Sequence, residues 1–344
     1  MNDFSKKLIA WQKQHGRHGL PWQGTRDAYR IWLSEIMLQQ TQVATVIPYY
    51  ARFLARFPTL AELASASEDE VLRLWSGLGY YSRGRNLLRA ALIVAEKFNG
   101  EFPRNFADVL ALPGVGRSTA AAISAFAFGE RRAILDGNVK RVFARHFGVA
   151  GFTGDKRVEN NLWEHAELAL PKTNIETYTQ ALMDLGATLC LRSRPLCAAC
   201  PISATCVANR ENRIHELPSP RPKKIVPEKS TTMLLIGHNG EVLLEKRPPT
   251  GVWASLWCFP ELANGISAEN FCRERFGLEI ETRRPWDVLQ HGFTHFKLSI
   301  TPRPVVVRSQ DTHAGEPGVV WLSVEDALGA AIPKPVRALL LKMK

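Results

Sequence analysis

The chain has 344 residues and a mass of 38.5 kDa, enough for about two domains with separate cores. Hydrophobic residues make up 45% and charged residues 22%, globular proportions that argue against long disorder. Lys+Arg number 44 against 33 Asp+Glu, and the surplus of +11 favours polyanions, either nucleic acid or an anionic membrane. No apolar run approaches the roughly 18 residues that span a bilayer, and Thr119–Phe128, the longest low-polarity stretch, reads as a buried helix. The first residues, MNDFSKKLIAWQKQH, carry neither a secretory nor a transit pattern, so a cytoplasmic location is expected.

Residues 1 to about 212 read as almost entirely helical. Asp27 is placed to cap a helix through Tyr29–Gln40, and Ser67-x-x-Glu70 forms a capping box opening Val71–Trp75. Gly77 and Gly79 stop that helix. Ser82 starts the next, which ends at Asn99-Gly100. Helices near Phe106–Leu110 and Arg117–Phe128 flank Leu112-Pro113-Gly114-Val115-Gly116, and another follows Asp136. Residues 213–229 hold four prolines and many basic residues, and predict an extended linker. Strands are then expected at Thr232–Gly237, Glu241–Glu245, Lys297–Ile300 and Pro304–Arg308, with a last helix over Lys334–Lys342. The expected fold is therefore multidomain: an all-α core over 1–212, a basic Pro-rich linker over 213–229 and an α+β domain over 230–344.

Four of the six cysteines crowd into Cys190-x6-Cys197-x2-Cys200-x5-Cys206. Such a set can wrap one tetrahedral metal ion or a cubane cluster, or it can be four unligated thiols. Zinc sites usually use two close pairs, and only Cys197/Cys200 is close here. Arg192, Arg194, Arg210 and Arg213 lie in or just after this loop, either as phosphate ligands or as solvated charges.

Between its two helices, Gly114-Val115-Gly116 allows close backbone approach to a phosphate, with the next helix N-terminus pointing at it. Such a contact positions DNA without reading its sequence. Glu35 lies in a helix apolar on nearly every face, so desolvation is expected to raise its pKa. Asp136 sits at a helix start, where dipole and free amides favour the anion. That separation would suit a general acid and an anionic partner.

The cysteine spacing, the hairpin and Asp136, in that combination, resemble the endonuclease III-like helix–hairpin–helix glycosylases. The resemblance implies a [4Fe–4S] cluster on Cys190, Cys197, Cys200 and Cys206. More narrowly, Leu20-Pro21-Trp22-Gln23, Trp32–Val43 and Gly77-Leu78-Gly79-Tyr80-Tyr81 resemble the adenine DNA glycosylase (MutY) family, densely over residues 1 to about 210. Carried over, Glu35 protonates adenine, Asp136 stabilises the sugar cation or bonds to it, and Asn138 supports Asp136. Trp22, Gln23, Leu38 and Gln180 would line the flipped-adenine pocket. Gln40 and Tyr80 would wedge into the base stack, and Gly114, Val115 and Gly116 would hold the backbone. Ser118 stands where bifunctional relatives carry a nucleophilic Lys, and a hydroxyl cannot form an imine. The expectation is base excision without efficient strand cleavage, with Lys140 as an adventitious amine.

Leu256–Glu261, after Lys246–Gly251, resembles the Nudix fold. The matching helix reads Arg273-Glu274-Arg275-Phe276-Gly277 and lacks the paired Glu of a hydrolase, so hydrolysis is not expected. Phe293-Thr294-His295 is similar to the family's Phe-Ser-His loop, which reads 8-oxoguanine, with Thr keeping the hydroxyl and adding a methyl. An ordinary alternating strand is the other reading of that stretch. Cys258 and Cys272 are expected to be buried.

The expected partner is double-stranded DNA carrying adenine opposite 8-oxoguanine or guanine. The protein is expected to be a nucleoid-associated monomer away from membranes. The alternatives are a bifunctional glycosylase/lyase for oxidised pyrimidines, a non-enzymatic iron–sulfur DNA sensor and, more distantly, a Nudix hydrolase. Ser118 and the long extension after Cys206 oppose the lyase, and the Glu35/Asp136 pair opposes the sensor.

Overall fold

A computed structural model of the chain describes residues 3–222, 226–310 and 317–344. The expected linker at 213–229 includes Lys223, Lys224 and Ile225, which lie outside the described residues. Two compact units emerge. One takes the chain up to Ser65 and from Asn86 to the linker. The other joins Ala66–Arg85 to the chain beyond it.

The helices before the linker are α1 (Asp3–His15), α2 (Ala28–Leu38), α3 (Val43–Arg56), α4 (Leu60–Ala64), α5 (Glu68–Trp75), α6 (Ser82–Lys97), α7 (Phe106–Ala111), α8 (Arg117–Phe128), α9 (Gly137–Phe147), α10 (Lys156–Ala169), α11 (Ile175–Asp184) and α12 (Val207–Arg210). Local chemistry sets many of their ends. Asp27 accepts from the amides of Tyr29 and Arg30 to start α2. Ser67 and Glu70 satisfy each other's amides in a capping box at α5. Gly129 stops α8 in the left-handed region, at φ +68°. Leu8, Ile134, Val139, Phe143, Leu162, Tyr178 and Leu182 meet in one apolar core. The helix expected to reach Gln40 ends two residues earlier, because Gln40 turns left-handed at φ +56°.

The second unit is built on one mixed sheet. Its strands are β1 (Glu228–His238), β2 (Glu241–Lys246), β3 (Trp257–Cys258), β4 (Glu261–Leu262), β5 (Leu278–Thr282), β6 (Leu289–Gly292), β7 (Lys297–Gln310) and β8 (Val319–Ser323). The sheet runs β3-β2-β1-β7-β5, with β4 on β1, β6 on β7 and β8 on β2. Among the described strands only β1 and β7 pair in parallel, in register from Glu228↔Lys297 to Gly237↔Val306. Helices α13 (Ala268–Phe276), α14 (Val324–Gly329) and α15 (Lys334–Met343) complete the unit. Met233 and Leu235 pack in one apolar cluster and Leu234 and Ile236 in another, so β1 is buried on both faces. Cys258 and Cys272 are both buried, as expected.

Two expectations change. The strands expected at Lys297–Ile300 and Pro304–Arg308 are a single strand, β7, that runs through two prolines. Pro302 and Pro304 point the same way, and their carbonyls accept from Trp286 and Arg283 amides, so that edge needs acceptors and no donors. Residues 66–85, expected within the helical core, pack in the second unit. Leu72 joins the cluster of Met233 and Leu339 with no exposed surface, and Ser76 Oγ donates to Ile332 O at 2.9 Å.

Candidate active site

Two clefts open in the first unit and share one wall. The first, about 460 Å³, is lined by Arg17, Trp22, Gln23, Glu35, Leu38, Gln180 and others. The second, about 1040 Å³, is lined by Arg17, Glu35, Leu38, Gln39, Gln40, Gly116, Ser118, Asp136, Asn138 and others. Glu35, Leu38 and Arg17 border both. A smaller pocket thus adjoins a broader groove, with a carboxyl between them.

Glu35 projects from α2, whose Ile31, Trp32, Leu33, Ile36 and Met37 are buried. Desolvation pushes its pKa up to about 8, and the negative charge of Asp136 adds to the rise. Asp136 caps α9 by accepting from Val139 N at 2.7 Å. Here the expectation is corrected. Burial raises the Asp136 pKa, and its amide bonds to Val139 and Asn138, with Arg141 and Lys140 nearby, oppose the rise without cancelling it. The helix start is favourable for the anion, but the loss of water is the larger effect.

Around them the side chains are tightly assigned. Arg141 donates to Asn138 Oδ1 at 2.9 Å, to Gly186 O at 2.7 Å and to Cys190 O at 2.7 Å. Ser118 Oγ accepts from Leu135 N at 2.9 Å, so the hydroxyl braces the strand-like approach to Asp136. Lys140 pairs with Glu159 at 2.7 Å and does not line either cleft. Trp22 is buried, edge-on to Tyr50. Gln23 is spent on the backbone: its Oε1 accepts from Leu20 N and its Nε2 donates to Arg17 O. Gln180 Nε2 donates to Asp184 at 2.9 Å. Arg17, Gln39 and Asp184 were missed by sequence reasoning. Gln39 links the end of α2 to the hairpin, donating to Gly114 O and Thr119 Oγ1. For Asp184 a signal existed, one helical turn beyond Gln180.

The hairpin turn lies between α7 and α8. Gly114 has φ +81°, and a Cβ there would stand 3.0 Å from Asn86 Cβ. Val115 is buried, and Gly116 opens α8 with no side-chain cap. Gln40 (φ +56°) and, in the second unit, Tyr80 (φ +49°) are exposed non-glycine residues in left-handed backbone. Strain of that kind persists where surroundings fix it and concentrates at functional sites. Phe293-Thr294-His295 forms the tip between β6 and β7 rather than an alternating strand. Phe293 N donates to Phe296 O, their rings stack at 4.4 Å, and Thr294 and His295 are exposed. Helix α13 offers only Glu269 and Glu274 as acids.

The four cysteines of the loop line one small cavity with Arg145, His146 and Leu189. Arg145 is buried and donates to the carbonyls of Leu191, Arg192 and Leu217, with Cys190 Sγ at 3.4 Å. Burial and mutual repulsion of thiolates push Cys197, Cys200 and Cys206 up, Cys200 to about 11. Among the described residues, no three Cys, His, Asp or Glu converge to hold one metal ion. The four thiols that border this cavity are the residues that would hold a metal group there.

The helical core thus carries a glycine hairpin, a pocket set beside a groove and, between them, an acid of raised pKa. The HhH-GPD superfamily of base excision DNA repair proteins matches residues 33–167, and a NUDIX domain matches residues 231–342. The chain is 36% identical to the adenine DNA glycosylase of Buchnera aphidicola subsp. Baizongia pistaciae, over 99% of this chain and 97% of that one. It is 33% identical to the human adenine DNA glycosylase, over 96% and 72%. The chain also resembles a thermostable thymine-DNA glycosylase (TM-score 0.54, 30% identity, covering 60% of this chain and 95% of that one). It shares its fold with endonuclease III in a non-covalent DNA complex (TM-score 0.51, 21% identity, 61% and 94%). The chain belongs to the adenine DNA glycosylase family. Among the described residues, no helix is long and apolar enough to cross a membrane.

Proposed function

We propose that the protein removes adenine mispaired with 8-oxoguanine or guanine and leaves the DNA strand uncut. The observation that carries this is Glu35, an acid with a pKa near 8 on the wall common to pocket and groove. Adenine is a poor leaving group, and the transition state resembles an oxocarbenium ion. Glu35, protonated at neutral pH, donates its proton to a ring nitrogen of a base flipped into the pocket of Trp22, Leu38 and Gln180. Asp136, in the groove, stabilises the positive sugar, with Asn138 held beside it by Arg141. Flipping costs a few kcal/mol, and Gln40 and Tyr80 offset part of it by filling the gap in the stack. Gly114, Val115 and Gly116 bring backbone amides to a phosphate.

In this reading residues 1–212 form the glycosylase core, 213–229 the linker and 230–344 the reader of the partner base, through Phe293, Thr294 and His295. Residues 66–85 are then an excursion of the core that packs on the reader. Cys190, Cys197, Cys200 and Cys206 hold a [4Fe–4S] cluster, which ties the loop together when bound. The protein acts as a monomer on DNA in the nucleoid of the cytoplasm. The absence of strand cleavage is supported by Ser118, whose oxygen is engaged by Leu135 N, and by Lys140, which is paired with Glu159.

The test is single-turnover cleavage of duplexes with adenine opposite 8-oxoguanine, guanine or thymine, with and without alkali. Alkali-dependent cleavage only in the first two, lost in Glu35→Gln, is expected. Cleavage without alkali would restore the lyase reading, and no adenine release from cluster-loaded protein would leave a DNA-binding sensor.

A further inference from the structure

We propose that Asp184, which is not itself a base-contacting residue, sets the purine specificity of the pocket by locking the Gln180 amide with its oxygen toward the base. The proposal rests on reading the Trp22–Leu38–Gln180 cleft as the adenine pocket. Gln180 and Asp184 stand one turn apart on α11. Asp184 has no exposed surface. Its Oδ1 accepts from Gln180 Nε2 at 2.9 Å and from Arg17 Nε and Nη2, each at 2.7 Å. Its Oδ2 accepts from Arg17 N at 2.9 Å.

A carboxylate paired with a guanidinium offers acceptors only. The Gln180 amide therefore cannot reverse, because its oxygen would then oppose Asp184 Oδ1 where no water can intervene. Gln180 borders the cleft, and with one Nε2 hydrogen given to Asp184 we infer that Oε1 is what its amide presents to a bound base. An acceptor there takes a hydrogen from the exocyclic amine of a 6-aminopurine. It repels the 6-oxo group of guanine or hypoxanthine, which offers only an acceptor at that position. Gln23 cannot substitute, since both ends of its amide are engaged by the backbone. Asp184 is thus a positioning residue whose effect reaches the substrate through another side chain.

The experiment compares single-turnover release of adenine, hypoxanthine and unsubstituted purine, each opposite 8-oxoguanine, by full-length protein. Each variant supplies its own ratio, so partial loss of fold does not mimic the effect. Asp184→Ala is expected to lower the adenine-to-hypoxanthine ratio about ten- to hundredfold, since the freed amide can turn and donate to a 6-oxo group. Asp184→Asn is expected to keep the ratio within a few-fold of wild type. Its oxygen remains toward the three donors, and only the bond to Arg17 N is lost. Gln180→Leu is expected to lose the ratio, and adding Asp184→Ala to it is expected to change nothing further. A wild-type ratio in Asp184→Ala alongside a lost ratio in Gln180→Leu would overturn the role of Asp184 alone. An equal loss in Asp184→Asn and Asp184→Ala would do the same. A wild-type ratio in Gln180→Leu would overturn the pocket reading itself. Release of the unsubstituted purine shows in each case that the cleft still assembles.

Discussion

On the proposed mechanism Glu35 combines two demands that conflict in water: it must be protonated at neutral pH and still be acidic enough to donate. Burial in α2, next to Asp136, resolves the conflict by moving its pKa to about 8. The rate of adenine release is therefore expected to fall as pH rises through about 8, and to fall again in acid as Asp136 is protonated, a limb that burial of Asp136 moves up from the ordinary carboxylate range, as measured in single-turnover pH profiles. Glu35→Gln removes the proton and should lower the rate by about 10²–10⁴-fold. The same burial has a stability consequence. The folded-state pKa lies above the ordinary value of 4.5, so native stability is intact below 4.5 and declines as pH rises from there through about 8. Glu35→Gln should then melt higher than wild type at pH 8 and equal to it near pH 4, a comparison that thermal denaturation makes directly. Equal melting temperatures at pH 8 would show that the acid is well solvated. At this scale the sequence revealed Glu35 and Asp136 because their neighbours along the chain, an apolar helix and a helix start, are local. It could not weigh desolvation of Asp136 against its amides, since the atoms that exclude water come from elsewhere in the chain.

The elements carry their site residues through a few close approaches. After α11 the chain widens into a π-helical turn at Leu185–Leu189, a form that occurs often at functional sites. Within it Gly186 lies against α9, and a Cβ there would stand 2.7 Å from Asn138 Cβ. Gly186 O also accepts from Arg141, the residue that holds Asn138. Gly186→Ala is expected to push Asn138 out of place and lower the release rate at least about tenfold with the helical content retained. Rate and circular dichroism together check it, and an unchanged rate would show that Asn138 tolerates the shift. Capping residues, the hairpin glycines and the helix boundaries around them were legible in the sequence, because each is decided within one or two turns of chain. The joined strand β7 was not. Its two prolines break the strand pattern, and only the donors of Trp286 and Arg283 beside them make the conformation complete.

For the whole molecule, the surprise is the company kept by residues 66–85. Leu72, on α5, is fully buried with Met233, Leu256 and Leu339, and Lys246 pairs with Asp69 at 2.8 Å. Leu72→Ala is expected to destabilise the second unit by about 2–5 kcal/mol, the usual range for emptying a buried leucine site. Hydrogen exchange of β1 and β7 amides reads it out, and unchanged protection there would place Leu72 outside that core. By itself, the sequence determined the helical and sheet halves, and it displayed the cysteine loop, the hairpin and the two carboxyls that carry the resemblance to the family. These are encoded in periodicity and spacing, which act between near neighbours in the chain. The tertiary structure alone decided that Arg17 meets the buried Asp184 carboxylate and that α5 completes the core of the second unit. Each of these depends on contacts between residues far apart in sequence or on the exclusion of water by surrounding elements, and neither is written in local pattern.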